Sequence, residues 1–254
     1  MSQVFLIGQT QLGCDFRAFT QAVGWKQPNL SANADPDILC EAAGRLCYKA
    51  YAPYDGTEQT NPNVTRIREG NKKYIRNIAD SGHGSVFEHA NFTFAVLGIS
   101  RVFTHELVRH RAGCAYSQES MRYVRLQEFD MILPEDDDVP DELYNDMTAV
   151  HGYLREAIAC MNSRIPEDAS FDLKKKLTSF IRRAAPIGVS TNIIFTANVR
   201  ALRHMIAQRT SVHAETEIRD VFMKVARACL SAAPNLFCDM DWKDGVYTFA
   251  NDKV

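Results

Sequence analysis

The sequence predicts an α+β fold: a central, mostly antiparallel sheet flanked by helices, with a helical insertion in mid-chain. Three observations lead there. Two runs rich in aromatic and β-branched residues, NFTFAVLGI at 91–99 and VSTNIIF at 189–195, have the composition and length of strands. Several other segments repeat their apolar residues at helical spacing. No repeat, linker or low-complexity stretch divides the 254 residues, so a single domain spanning 1–254 is expected.

In chain order, the start at 1–35 mixes a short strand candidate, Val4-Phe5-Leu6-Ile7, with glycine and polar residues. Asp35-Pro36-Asp37 then opens a helix, whose apolar residues are Ile38, Leu39, Ala42, Ala43, Leu46 and Cys47. Pro53, Gly56 and Asn61-Pro62-Asn63 make 51–65 a loop, before a helix around 65–79. A polar loop at 80–85 leads into the strand at 91–99. Residues 100–109 read as helical, and the segment after them as irregular and ligand-facing. Acidic Glu135-Asp136-Asp137-Asp138 and two prolines mark 126–148 as solvated, with helices at about 141–183 ended by Pro186; the whole excursion covers about 126–183. A helix follows the second strand over 196–209, with Val199, Leu202, Met205 and Ile206 apolar. An amphipathic one at 214–230 carries Ile218, Val221, Phe222, Val225, Ala226 and Leu230.

Hydrophobic residues make up 46% of the chain and charged residues 24%, the balance of a soluble globular protein. With a net charge of −2 and a pI near 6.4, no global basic field exists to hold a nucleic-acid backbone. Seven cysteines, an odd number with no CxxC pair, read as reduced and mostly buried thiols of a cytoplasmic protein. The apolar run at 4–7 is too short for a signal-peptide core, and none approaches the ~20 residues of a membrane span. Neither a nucleic acid nor a membrane is expected as partner.

Chemistry concentrates at 109–125. Arg109, Arg111, Arg122 and Arg125 fall within seventeen positions, among Ser117, Gln118 and Ser120 and beside Gly113. Like charges held close together repel, so a purely structural segment gains little from them. Guanidinium forks interleaved with short donors suit a phosphate-bearing ligand instead. At roughly 1.5–3 kcal/mol per charge-assisted hydrogen bond, two or three contacts give micromolar capture. The bland alternative, a solvated and salt-bridged helix end, suits a lone arginine pair better than this cluster.

Two further constellations accompany it. His83-Gly84-Ser85-Val86-Phe87-Glu88-His89 invites a metal site, yet histidines six apart fit neither a helical pair nor a zinc finger, and no metal is expected. The segment is equally a turn entering a strand, or a glycine-flanked loop that lets backbone and Ser85 approach a ligand. In the helix after the second strand, Arg200, His204 and Gln208 are spaced by four and share one polar face, with Asn198 before them. Arg209, His213 and Glu217 repeat the spacing, and a solvated face explains either stripe as well as a ligand does. There is no GxGxxG after a strand, no GxxxxGK[ST] and no GxSxG, so the common dinucleotide, phosphate and hydrolase loops are absent.

Taken together, RHRAGCAYSQESMRY (109–123), SGHGSVFEH (81–89) and NVRALRH…QRTSVHAE (198–215) resemble the flavin-dependent thymidylate synthases, over roughly residues 38–240. The family signature reads RHRxxSxxxxSxRY. Arg109 and Arg122 lie 13 positions apart where that pattern has twelve, so one residue is added, and the first serine of the pattern falls at Cys114 or Ala115. The resemblance implies the fold of that family. It implies an FAD site from Ser85, Arg109, His110, Arg111, Gln118, Asn198, Arg200 and His204. It implies a dUMP site from Glu106, Arg109, Gln118, Ser120, Met121, Arg122 and Arg182, with Glu106 where glutamine is common. Arg209 would stabilise the uracil as its N3-deprotonated anion, a role suited to an always-charged guanidinium. His83 would help orient flavin and folate.

The implied reaction is reductive methylation of dUMP to dTMP, with methylenetetrahydrofolate as carbon donor and FAD, reduced by NADPH, as hydride source. Members of the family are homotetramers whose active sites draw on more than one subunit. Cys114 is read as a small apolar filler rather than a nucleophile, and Ser120 as a substrate contact. Two other readings compete: a nucleotide-binding regulatory protein that lost turnover, suggested by the added residue and Glu106, and an RNA-binding module, opposed by the pI and the lack of interleaved aromatics.

Overall fold

The structure, a computed structural model, describes residues 2–26, 30–122, 129–251 and 254; Tyr123 and Arg125 of the arginine-rich segment and 126–128 of the expected excursion lie outside the described residues. Strands β1 (Gln3–Gln9), β2 (Asn91–Ser100), β3 (Cys114–Gln118) and β4 (Ser190–Asn198) form one sheet in the order β1-β2-β4-β3, every neighbouring pair antiparallel. Phe94 sits opposite Leu6 on one side and Phe195 on the other, and Phe195 in turn opposite Tyr116. Because side chains alternate along a strand, this register puts Phe92, Phe94, Val96, Ile193, Phe195 and Ala197 on one buried face.

Helices α7 (Val199–Arg209) and α8 (Thr216–Ala232) cover that face with Leu202, Met205, Ile206, Val221, Phe222 and Val225, all fully buried. Removing such a side chain from water contributes about 1.5–3 kcal/mol each, so this layer anchors the fold. The opposite face of the sheet is open: Phe5 and Ile194, on one cross-strand row, are 46% and 42% exposed, and Ile7 is 53% exposed.

Before the second strand come α1 (Phe16–Ala22), α2 (Asp35–Tyr48), α3 (Asn71–Asp80) and a 3-10 turn, Gly84–His89. A short α4 (Arg101–Leu107) follows β2, capped by Ser100, whose hydroxyl accepts from Phe103 N at 3.1 Å. The mid-chain excursion consists of α5 (Asp141–Ser163) and α6 (Phe171–Ile181), packed around Ile158 and Ile181. A hairpin, β5 (Met240–Lys243) and β6 (Val246–Phe249), closes the chain through Asp244-Gly245, both at positive φ.

Four expectations change. The signature is not irregular throughout: Cys114–Gln118 pairs with β4 as a strand, with Tyr116 turned to the core side. The second strand runs three residues further than 195, because Asn198, not Thr196, supplies the cap that starts the helix. The helix expected from 65 starts at Asn71, after Gly70 at φ +88. The thiols are not mostly buried: Cys40 and Cys229 are, but Cys14, Cys47 and Cys160 are exposed, on a loop and on outer helix faces.

Candidate active site

Three stretches distant in sequence meet at one cavity of about 810 Å³. Sheet pairing is the reason. Asn91 lies opposite Asn198, so the turn entering β2 stands beside the helix leaving β4; Cys114 lies opposite Ala197, which brings the Arg109–Gly113 connection to the same end. Gly82 and Glu88 line the cavity from the first stretch, Arg109, His110, Arg111 and Gly113 from the second, and Asn198, Arg200, His204 and Met205 from the third.

Asn198 ties two of these together. Its side chain accepts from Ala201 N at 2.8 Å, capping α7, while its main-chain N–H donates to the Gly113 carbonyl at 3.0 Å. Gly113 has φ +71, and a Cβ there would stand 2.3 Å from Asn198 Nδ2, so glycine alone permits this approach. Arg200, on the exposed face of α7, pairs with Glu88 at 2.7 Å. With Arg109, Arg111 and His204, the lining is rich in donors for anionic and carbonyl oxygens.

At the far end of α7, Arg209 joins the cavity wall to α4. Its Nη1 donates to Glu106 Oε2 at 2.6 Å, its Nη2 to the Glu106 carbonyl at 3.2 Å, and its Nε to His110 Nε2 at 2.9 Å. A ring nitrogen that accepts from a guanidinium carries no proton. Burial first, and then the charges of Arg209 and His204, push the His110 pKa down to about 4. The ring is therefore neutral near pH 7, with its proton on Nδ1. Tyr116 fixes the backbone here, its hydroxyl placed to donate to the His110 and Leu107 carbonyls.

A second cavity, of about 330 Å³, collects Gln118, Met121 and Arg182 with Arg101, Thr104 and His105. Gln118 Nε2 donates to Thr104 Oγ1 at 3.0 Å. Arg122 instead borders a separate cavity with Asp172, Lys175, Lys176 and Ser179 of α6, and its N–H reaches Ser120 Oγ at 3.3 Å. His83 and Ser85 are exposed and do not line the first cavity, although Gly82 and Glu88 on either side of them do. Thus the chain brings together Arg109, His110, Arg111, Asn198, Arg200 and His204 at one cavity, with Glu106 and Arg209 attached through His110. Gln118, Met121 and Arg182 meet at another. Ser120, Arg122, His83 and Ser85 join neither.

Three residues escaped the sequence reading. Tyr48 stacks on His83 with centroids 5.5 Å apart and donates to, or accepts from, its Nδ1 at 2.8 Å. Arg101 lines the second cavity. Arg203 is buried on the inner side of α7, where it forks onto Asp239 at 2.6 and 2.7 Å and lies over Phe249 and Phe87. Its signal was legible, since position 203 falls on the apolar stripe with Val199 and Ile206. Among the described residues, no group of three or more His, Cys, Asp and Glu side chains is placed to hold a metal ion, and no helix is long and apolar enough to cross a membrane.

Comparison with known proteins agrees with this arrangement. The family model described as thymidylate synthase complementing protein matches residues 29–235. A flavin-dependent thymidylate synthase of Mycolicibacterium vanbaalenii is 36% identical over 222 residues, covering 84% of each chain. Proteins of the same name from Mycolicibacterium gilvum and Mycobacterium tuberculosis are 35% and 36% identical with the same coverage. By motif, by family match and by relatives, the chain belongs to the flavin-dependent thymidylate synthase family of enzymes.

Proposed function

We propose that the protein makes dTMP from dUMP by reductive methylation, using methylenetetrahydrofolate as carbon donor and FAD reduced by NADPH, and so serves de novo thymidylate synthesis in the cytoplasm. The observation that carries this reading is the meeting of three motifs at one cavity, with Arg209 fixed beside it through His110. We take the family's fold, as one domain over 1–254, to be the frame.

The first cavity fits FAD. Its volume lies within the ~300–1,000 Å³ usual for cofactor sites, and the glycines at 82 and 113 leave backbone open to close approach. Arg109, Arg111 and Arg200 would serve the diphosphate, with His110, Asn198 and His204 as further donors or acceptors. Ser85 and Gln118 complete the proposed flavin set, and His83, held by Tyr48, would orient flavin and folate. When bound, the flavin supplies the hydride that completes the methyl group.

For dUMP, Glu106, Arg109, Gln118, Ser120, Met121, Arg122 and Arg182 are the proposed contacts. Arg209 would hold the pyrimidine as its N3 anion. The negative charge pushes electron density to C5, which bonds the methylene carbon and releases its own hydrogen as a proton. A permanently charged guanidinium suits this role because it favours the anion without exchanging a proton itself. Cys114 is no nucleophile: burial raises its thiol pKa, and its Sγ lies 3.9 Å from Met205 Sδ.

A homotetramer with shared sites explains why one subunit leaves Ser120, Arg122, His83 and Ser85 away from the two cavities. The open sheet face supplies apolar surface for such an assembly. As a test, purified protein mixed with FAD should retain the flavin through gel filtration, and anaerobic NADPH should bleach its absorbance. Protein that binds dUMP but takes up no flavin would instead favour the regulatory binder.

A further inference from the structure

We propose that Arg101 and Arg182 together form the phosphate end of the nucleotide site, making Arg101 a substrate-binding residue outside all three motifs. The inference rests on the reading that this protein binds dUMP. It adds the group that would recognise the 5′-phosphate.

The second cavity holds two guanidiniums, Arg101 and Arg182, beside the imidazole of His105 and the polar Thr104 and Gln118. No carboxylate lines it. Two cations sharing a small cavity repel, and an anion placed between them turns that repulsion into attraction. Arg101 is the first residue of α4, and its Nη2 donates to the Glu119 carbonyl at 2.9 Å. Its Nε is buried and has no hydrogen-bond partner. A buried donor left unpaired is costly, which is expected where a ligand completes the bonding.

The Glu119 carboxylate does not supply that partner. It is turned to Asn192, accepting from Nδ2 at 2.8 Å and from the main-chain N–H at 3.2 Å. Burial lowers the Arg101 pKa, with Glu119 opposing and Arg182 adding to the shift, so the guanidinium stands in a dry and net-positive setting. A phosphomonoester dianion has enough acceptor oxygens for both forks. It also matches the cavity's size better than a diphosphate, for which the larger cavity is available.

Calorimetric titration of dUMP and of deoxyuridine into wild type, Arg101→Met and Arg101→Lys tests this. Arg101→Met should weaken dUMP by about 10- to 100-fold and leave deoxyuridine within about 2-fold. Arg101→Lys, which keeps the charge without the planar fork, should fall between. Unchanged dUMP binding in Arg101→Met overturns the proposal. Equal loss for both ligands does so as well, because it marks Arg101 as a structural support. Wild-type protein that binds neither ligand would defeat the dUMP reading itself and this inference with it, an outcome distinct from the other two.

Discussion

Arg209 is where the residues of the site depart most from what the sequence suggested. Its guanidinium is bound to Glu106 and His110 rather than open, so a carboxylate already occupies the position a pyrimidine anion would want. Both groups are partly exposed, so the pair is of moderate strength. Glu106→Gln removes the competing charge and should tighten dUMP about 3- to 10-fold, as measured by equilibrium dialysis; weaker binding would show that the carboxylate is a required contact. His110 carries a second prediction. Its folded pKa of about 4 lies below the usual 6.5, so the unfolded chain binds a proton that the folded one refuses. Stability contributed by the neutral ring is complete above about 6.5 and is lost as pH falls to about 4. Buried Asp37, raised to about 6, acts with the opposite sign, gaining stability as pH falls from about 6 toward 3.8. The difference between wild type and His110→Gln isolates the histidine: urea midpoints of the two should converge as pH drops from 6.5 to 4 if the variant folds like wild type. The arginines and histidines were legible as a ligand-facing set. Their partners were not, because a bond such as Arg209 to Glu106 joins positions 103 apart and depends on how strands pair.

Local periodicity found most of the elements, and cap chemistry set their ends. The strands at β1, β2 and β4 and helices α2, α7 and α8 follow from apolar spacing. Strand β3 was missed because its five residues are short and polar, and only pairing with β4 makes them extended. The closing hairpin was missed although Asp244-Gly245 is a strong turn signal between Met240–Lys243 and Val246–Phe249. Asn198 is the element-level pivot, ending β4, capping α7 and holding Gly113 in place. Asn198→Ala should lower stability by about 1 kcal/mol through the lost cap, read by denaturant unfolding. It should also loosen flavin, since the cap and the cavity wall are one side chain. Stability loss with undiminished flavin affinity would separate those two roles.

For the whole molecule, the class and the order of elements were accessible from the sequence, while the assembly was not. Alternation in β1 and β4 leaves Phe5, Ile7 and Ile194 on the open sheet face, and α5 and α6 expose Tyr153, Phe171 and Phe180 at 74%, 73% and 68%. So much apolar surface is unusual for a lone subunit. Light scattering should therefore give a mass near four chains, and Phe5→Asp with Ile194→Asp should shift it to smaller species; a wild-type monomer would remove the basis for shared sites. The central claim is flavin-dependent methylation of dUMP with Arg209 ionising the base. Its most direct test is tritium release from 5-tritiated dUMP, leaving out FAD, NADPH or methylenetetrahydrofolate in turn. Release that needs all three, and that falls about 100- to 1,000-fold in Arg209→Ala, is the predicted result. Release without flavin, or none from protein that binds both flavin and dUMP, would contradict it.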